Sequence, residues 1–263
     1  MRRVAVLVPV YRPCLDLDEL TSLRHLNRFL ARYDRYLVKP RSLDLELDGF
    51  RSARFPDGFF RSTRTYTSLC LSRAFYRRFL AYDYVLVHQL DCLVFADELE
   101  DWCAKGYDYV GGVHEIAGVR MVGNGGFSLR RVRAALAVLE SKVRMTDPRD
   151  HWARYWAHRS AATRLAATPR RWLKHLRRFN GVDWQIRKHM TSGYGWGEDW
   201  FWSIDASKYL PSFSRPPNEE ADLFAFFGEP RETYESVGRR LPFGCHGWTR
   251  FDRAFWEPFL IRD

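Results

Sequence analysis

The 263-residue sequence has no apolar run long enough to cross a bilayer. The longest, Val4 to Tyr11, is interrupted by Pro9 and falls far short of the roughly 20 residues a spanning helix needs, so no transmembrane helix is expected. Arg2 and Arg3 precede it as in a secretory signal, yet Tyr11-Arg12-Pro13 follows where a small-residue cleavage site belongs, and the run reads as a first core strand instead. Cysteine is scarce as well. Five cysteines, odd in number, scattered and without a pair at zinc-ligand spacing, speak against a disulfide framework or zinc ribbon and fit a reduced cytoplasmic protein. There is no internal repeat or low-complexity tract, and 46% hydrophobic with 16% aromatic residues excludes a disordered chain. The length suits one domain over residues 1–263 with a substantial core.

What is present alternates strand and helix signals. Val4 to Val10 is continuous and rich in β-branched residues, as in a strand buried on both faces of a parallel sheet. Leu20, Leu23, Leu26 and Leu30 recur at helical spacing before a short strand at Tyr36 to Lys39. Tyr66 to Leu80 reads as one helix, Tyr84 to Val87 as another buried strand, and Tyr107 to Val113 as a further one. Gly123 to Gly126 forms a glycine-rich loop, followed by an expected helix from Leu129 to about Val143 with Ser128 as its cap. Residues 144–188 differ: twelve Lys and Arg against three Asp place +9 of the net +10 there, interleaved with Trp152, Trp156 and Trp172. One or two basic amphipathic helices are expected.

Four places carry candidate chemistry. Asp91 interrupts a core strand, with Gln89 on the same side; it either bonds a nearby amide or points into the crevice where open α/β sheets bind ligands, as a hard oxygen ligand for Mg²⁺ or Mn²⁺. Glu198-Asp199 stands among Gly195, Gly197, Trp196, Trp200 and Trp202. Acids suit a helix N-terminus, and in this setting they also suit a general base beside a wall of indoles on which a sugar can stack. Asn124-Gly125-Gly126 is either a turn or a loop offering bare amides to a ligand, and His246 is either a packed residue or a third metal ligand.

In this order the segments resemble glycosyltransferases of the A-type (GT-A) fold over about residues 4–138 and 190–257. Val4 to Tyr11 resembles their nucleotide-binding first strand, Gln89-Leu90-Asp91 their Asp-any-Asp metal motif, and Asn124 to Leu129 their sugar-side loop. Trp196-Gly197-Glu198-Asp199 resembles the acidic motif of inverting members, and Pro242-Phe243-Gly244-Cys245-His246 a segment of a bacterial polysaccharide-type group. The resemblance implies an α/β, Rossmann-related fold with a mixed, mostly parallel central sheet flanked by helices and a basic helical insert at about 144–190. It implies a nucleotide-sugar site of Pro9, Val10, Tyr11, Arg61, Ser62, Tyr66, Gln89, Asn124, Gly125, Gly126 and Trp196. Mn²⁺ or Mg²⁺ would sit on Asp91 and His246, with Asp199 as base and Glu198 its competitor. The implied activity is inverting hexosyl transfer from a nucleotide diphosphate donor, a UDP-sugar, to a hydroxyl of a glycan or lipid-linked saccharide. Gln89 departs from the motif: Asp is usual there, and one negative charge is lost.

The basic segment reads as a solvated helical face or as an attraction to an anionic membrane surface, which would hold the enzyme peripherally at the inner face of the cell membrane. The same charge suits nucleic acid, in a non-catalytic basic binding protein or an enzyme glycosylating modified DNA bases.

Overall fold

The structure, a computed structural model, describes residues 3–116, 119–192 and 197–262. Strand β1 (Val4–Pro9) is buried over Val4 to Val8 and pairs in parallel with β2 (Asp34–Pro40) on one side and β4 (Tyr84–His88) on the other. Burial on both faces is why β1 and the Tyr84 to Val87 run of β4 are continuously apolar rather than alternating. Outside β2 lies parallel β3 (Phe50–Phe55), and outside β4 lies β9 (Phe127–Arg131), antiparallel to β4 and to β6 (Tyr109–Gly111). The order β3-β2-β1-β4-β9-β6 is the expected mixed, mostly parallel sheet. A second sheet joins β5 (Cys92–Val94) to β11 (Gly244–His246) and β10 (Ala225–Phe226), and β7 (Val113–Ile116) forms a hairpin with β8 (Val119–Val122).

Helices cover both faces. On one, Leu23, Leu26 and Leu30 of α1 (Leu17–Leu30) and Trp102 of α4 (Leu99–Ala104) pack on Val4, Val6, Val8 and Leu86. On the other, Phe75 and Phe79 of α3 (Arg73–Arg78) and Val132, Leu136 and Leu139 of α5 (Val132–Leu139) pack on Ala5, Leu7 and Val85. The basic stretch is helical, in three helices rather than the one or two expected, α6 (Pro148–Tyr155), α7 (Ala161–His175) and α8 (Val182–Thr191), and Val182 of α8 reaches the core. Among the described residues no helix is long and apolar enough to cross a membrane.

Four other local expectations fail. Leu20 leaves the apolar stripe of α1 and is exposed. The helix expected over Tyr66 to Leu80 is two, α2 (Thr63–Cys70) and α3, because Ser72 accepts from the Phe75 N–H and starts a new helix. The strand expected over Tyr107 to Val113 breaks at Gly112, where a Cβ would stand 2.9 Å from the Ala225 carbonyl. Ser128 caps nothing: Phe127 to Arg131 is a strand bonded on both edges, since Phe127 and Leu129 alternate into the core between β4 and β6, and tertiary pairing overrides the helical spacing.

Candidate active site

Parallel strands leave a crevice at their C-terminal ends where neighbours run off to opposite sides, and β1 between β2 and β4 is such a point. A cleft of about 650 Å³ lies there. Pro9 and Tyr11 line it from the end of β1, Arg61, Ser62 and Tyr66 from the start of α2, and Gln89 and Asp91 from the chain leaving β4. The folded chain thus brings together seven of the residues expected to hold a nucleotide sugar or its metal. Val10 does not line the cleft; it is a buried core residue whose N–H bonds the Val38 carbonyl. Ser62 caps α2 by accepting from Thr65, so the positive end of that helix faces the cleft. Arg12 is held by Asp16 at 2.6 Å and Glu19 at 2.8 Å, whereas Arg61 has no carboxylate partner among the described residues.

The second sheet holds Asp91 and His246 together. Pairing of β5 with β11 puts His246 opposite Cys92, and the Gly247 and Trp248 amides donate to the Asp91 carbonyl. His246 Nε2 consequently lies 3.2 Å from Asp91 Oδ1, its ring stacked on Phe227. Burial is the largest single influence and works against the Asp91 charge, but the His246 hydrogen bond and charge, a backbone hydrogen bond and the His88 ring together outweigh it and hold the carboxyl below its ordinary range. Asp91, Cys92 and His246 are the one group among the described residues whose donor atoms lie close enough to share an ion, within 4.8 Å. Cys92 is not a suitable third ligand: burial keeps its thiol protonated, and the thiol donates to the Gly126 carbonyl.

The glycine loop separates this pair from the acidic pair. A Cβ on Gly126 would stand 2.5 Å from His246 Cε1, and one on Gly125 would stand 2.6 Å from Glu198 Oε1, so both glycines are required by close packing. Asn124 is buried and turned inward, its Oδ1 accepting from the Gly126 and Phe127 amides. The Gly126 amide expected to be bare is therefore engaged within the loop, and none of Asn124, Gly125 and Gly126 lines the cleft.

Beyond the loop the two carboxylates diverge. Glu198 is buried and accepts from Arg130 Nη2 at 2.9 Å; Arg130, itself 1% exposed, also donates to the Gly125 carbonyl and Ser128 Oγ. Asp199, next along the short helix α9 (Glu198–Trp200), has no cation partner among the described residues; desolvation, then the Glu198 charge, push its carboxyl up to about 6. Trp196 lies outside the described residues. Trp202 is no part of an indole wall: the chain from Phe201 to Asp205 winds as a π-helix and turns it into the core against Tyr76 and Phe213.

Two residues were not expected. Arg130 gives no local signal, because in the helix expected from Leu129 a cation beside the apolar stripe reads as a solvent-facing residue. His88 ends β4 fully buried with neither ring nitrogen bonded among the described residues, and burial lowers it to about 4, so it is neutral. Its place beside Gln89 was the available hint.

The model of the family described as Protein of unknown function (DUF5672) matches residues 49–246, well over half of the chain. The chain belongs to the DUF5672 family. The matched span contains Asp91, the glycine loop, Glu198, Asp199 and His246. No curated protein matches this DUF5672 sequence. Among solved structures it is similar to the apo-form glycosyltransferase GlyE of Streptococcus pneumoniae TIGR4, at 15% identity and a TM-score of 0.49, and to the bifunctional IspDF of Campylobacter jejuni, at 8% and 0.34. The GlyE match covers all of this chain and 61% of GlyE, so the chain spans about three fifths of that protein; the IspDF match covers 63% of this chain and 47% of IspDF.

Proposed function

We propose that this DUF5672 protein transfers a sugar from a nucleotide diphosphate donor to a hydroxyl group. The observation that carries the reading is the chain of contacts that starts from Asp91 in the cleft wall: the Asp91–His246 pair, the Gly125-Gly126 loop packed on His246 and Glu198, and, next to Glu198, Asp199 with a carboxyl raised to about 6. The nucleoside lies against Pro9 and Tyr11, and its diphosphate against Arg61 and the N-terminal end of α2, where charge and backbone dipole both favour an anion. The donor set fits Mn²⁺ or Mg²⁺, with one carboxylate oxygen and one imidazole nitrogen facing each other; the imidazole favours Mn²⁺. Asp91 and His246 would hold the ion, and when bound it supplies positive charge against the leaving diphosphate. Gln89 in place of a carboxylate leaves Asp91 as the one carboxylate of that motif, so donor oxygens complete the coordination.

Asp199 takes the acceptor's proton. Glu198 is committed to Arg130, whereas Asp199 combines a carboxyl poised near the working pH with the absence of a cation partner among the described residues, which is what a general base needs. A base acting directly on the acceptor gives inversion at the anomeric carbon. We assign the donor to the uridine class and the acceptor to glycans or lipid-linked saccharides, with the reaction in the cytoplasm. The test is nucleoside diphosphate release from UDP-sugars with Mn²⁺. Asp199→Asn should abolish release and leave donor binding nearly intact; retained turnover removes Asp199 as base, and no release from any nucleotide sugar by the native protein removes the activity.

A further inference from the structure

Helix α7 is amphipathic but faces the wrong way for a helix that serves a core. Leu165 and Trp172, seven residues apart, and Leu176, four further on at the helix end, fall on one side at 100° per residue, and they are 77%, 69% and 55% exposed. Ala167 is the one residue of α7 that is buried. Two of its cations hold it to its neighbours: the Arg171 guanidinium, itself exposed, lies 5.0 Å from the Trp152 ring centroid on α6, and the half-buried Lys174 ammonium 4.6 Å from that of Trp184 on α8. The helix is thus tethered by its cations and presents its apolar stripe to solvent.

Immediately after Leu176 the surface becomes strongly positive. A cleft of about 590 Å³ is lined by Arg73, Arg77, Arg177, Arg178 and Arg187, against Glu140 and Asp183. An apolar stripe running into an arginine cluster matches one class of partner in both properties, a bilayer with anionic headgroups, where Leu and Trp lie at the headgroup boundary and the cations meet acidic lipid. Nucleic acid would use the arginines and leave Leu165 and Leu176 in water. We infer that α7 docks this protein on an anionic lipid surface through Leu165, Trp172 and Leu176, with the Arg177–Arg178 end against the headgroups. The inference does not depend on the activity proposed above, since none of these residues lines that cleft.

The test is flotation of the full chain with vesicles of phosphatidylcholine alone and of phosphatidylcholine containing phosphatidylserine, beside a gel shift with a DNA duplex at the same salt. The native protein should float with the anionic vesicles and far less with the neutral ones. A Leu165→Ser, Trp172→Ser variant, unchanged in charge, should lose at least about ten-fold in partitioning, because two large apolar side chains no longer leave water. Its unfolding midpoint should match the native one, since both positions are exposed. A native protein that does not float, a double variant that floats equally well, or tight duplex binding with no vesicle capture overturns the inference.

Discussion

Replacing Asp199 with Asn should remove turnover and stabilise the fold, a combination that follows from burying a carboxylate without a cation. Burial and the Glu198 charge push the folded carboxyl up to about 6 from an ordinary 3.8, so folding favours its neutral form. The sign is therefore opposite to that of a salt-bridged acid. Below pH 4 the group is protonated folded or unfolded and contributes nothing. Between pH 4 and 6 the folded state holds the proton that the unfolded state releases, and stability falls as pH rises; above pH 6 the full penalty is present. At 1.36 kcal/mol per pK unit the penalty is about 3 kcal/mol at neutral pH. Asn avoids it and can still accept from the Trp200 amide through its side-chain oxygen, as Asp199 does at 2.9 Å. For a chain of this size that is a rise in unfolding midpoint of about 5–10 °C at pH 7.5, shrinking toward zero at pH 4. Calorimetric unfolding of both proteins across pH 4–8 measures the difference, and the native turnover should fall as pH drops through 6. An Asn variant no more stable than the native protein at pH 7.5, or a difference constant with pH, would refute the argument that Asp199 is a desolvated carboxylate.

Arg130→Met should cost about 3–5 kcal/mol, measured by denaturant unfolding, because Glu198 is left buried without its cation; Glu198→Gln in the same chain should restore part of the loss. Gly126→Ala should cost about 1–3 kcal/mol and weaken metal-dependent nucleotide binding in calorimetry at least about ten-fold, since the new Cβ displaces the His246 ring. Gly58→Ala, with nothing within 4 Å of the added carbon, should change neither. His246→Ala should abolish the effect of Mn²⁺ on nucleotide binding in calorimetry and also lower the unfolding midpoint without metal, because the ring it removes packs between Phe227 and Gly126.

What was legible in the sequence is what short stretches encode. A β-branched run ended by Pro9 declares a central strand and the cleft at its end, and Asp91 breaking the next apolar segment declares a charge that needs a partner. The partner of Glu198 was not legible, since Arg130 reaches it from β9 across 68 residues, and the pairing of Asp91 with His246 was expected from the family resemblance alone. Strand pairings also explain the failures: Ser128 and Leu129 carry helical spacing with Val132 and Leu136, yet two flanking strands claim them. Trp202 shares its local sequence with the acidic pair, and only the π-helical winding reveals that it belongs to the core. The choice of Asp199 over Glu198 came from the resemblance, and its physical ground, the buried guanidinium that engages Glu198, is announced by no neighbouring residue.

The central claim is that the cleft binds a nucleoside diphosphate through an ion on Asp91 and His246. Titrating UDP into the native protein and into Asp91→Ala, each with and without Mn²⁺, tests it most directly by calorimetry. The account predicts binding that requires Mn²⁺ and is lost in Asp91→Ala. No binding of UDP or any other nucleoside diphosphate with Mn²⁺ or Mg²⁺, or equal binding in the variant, would contradict it.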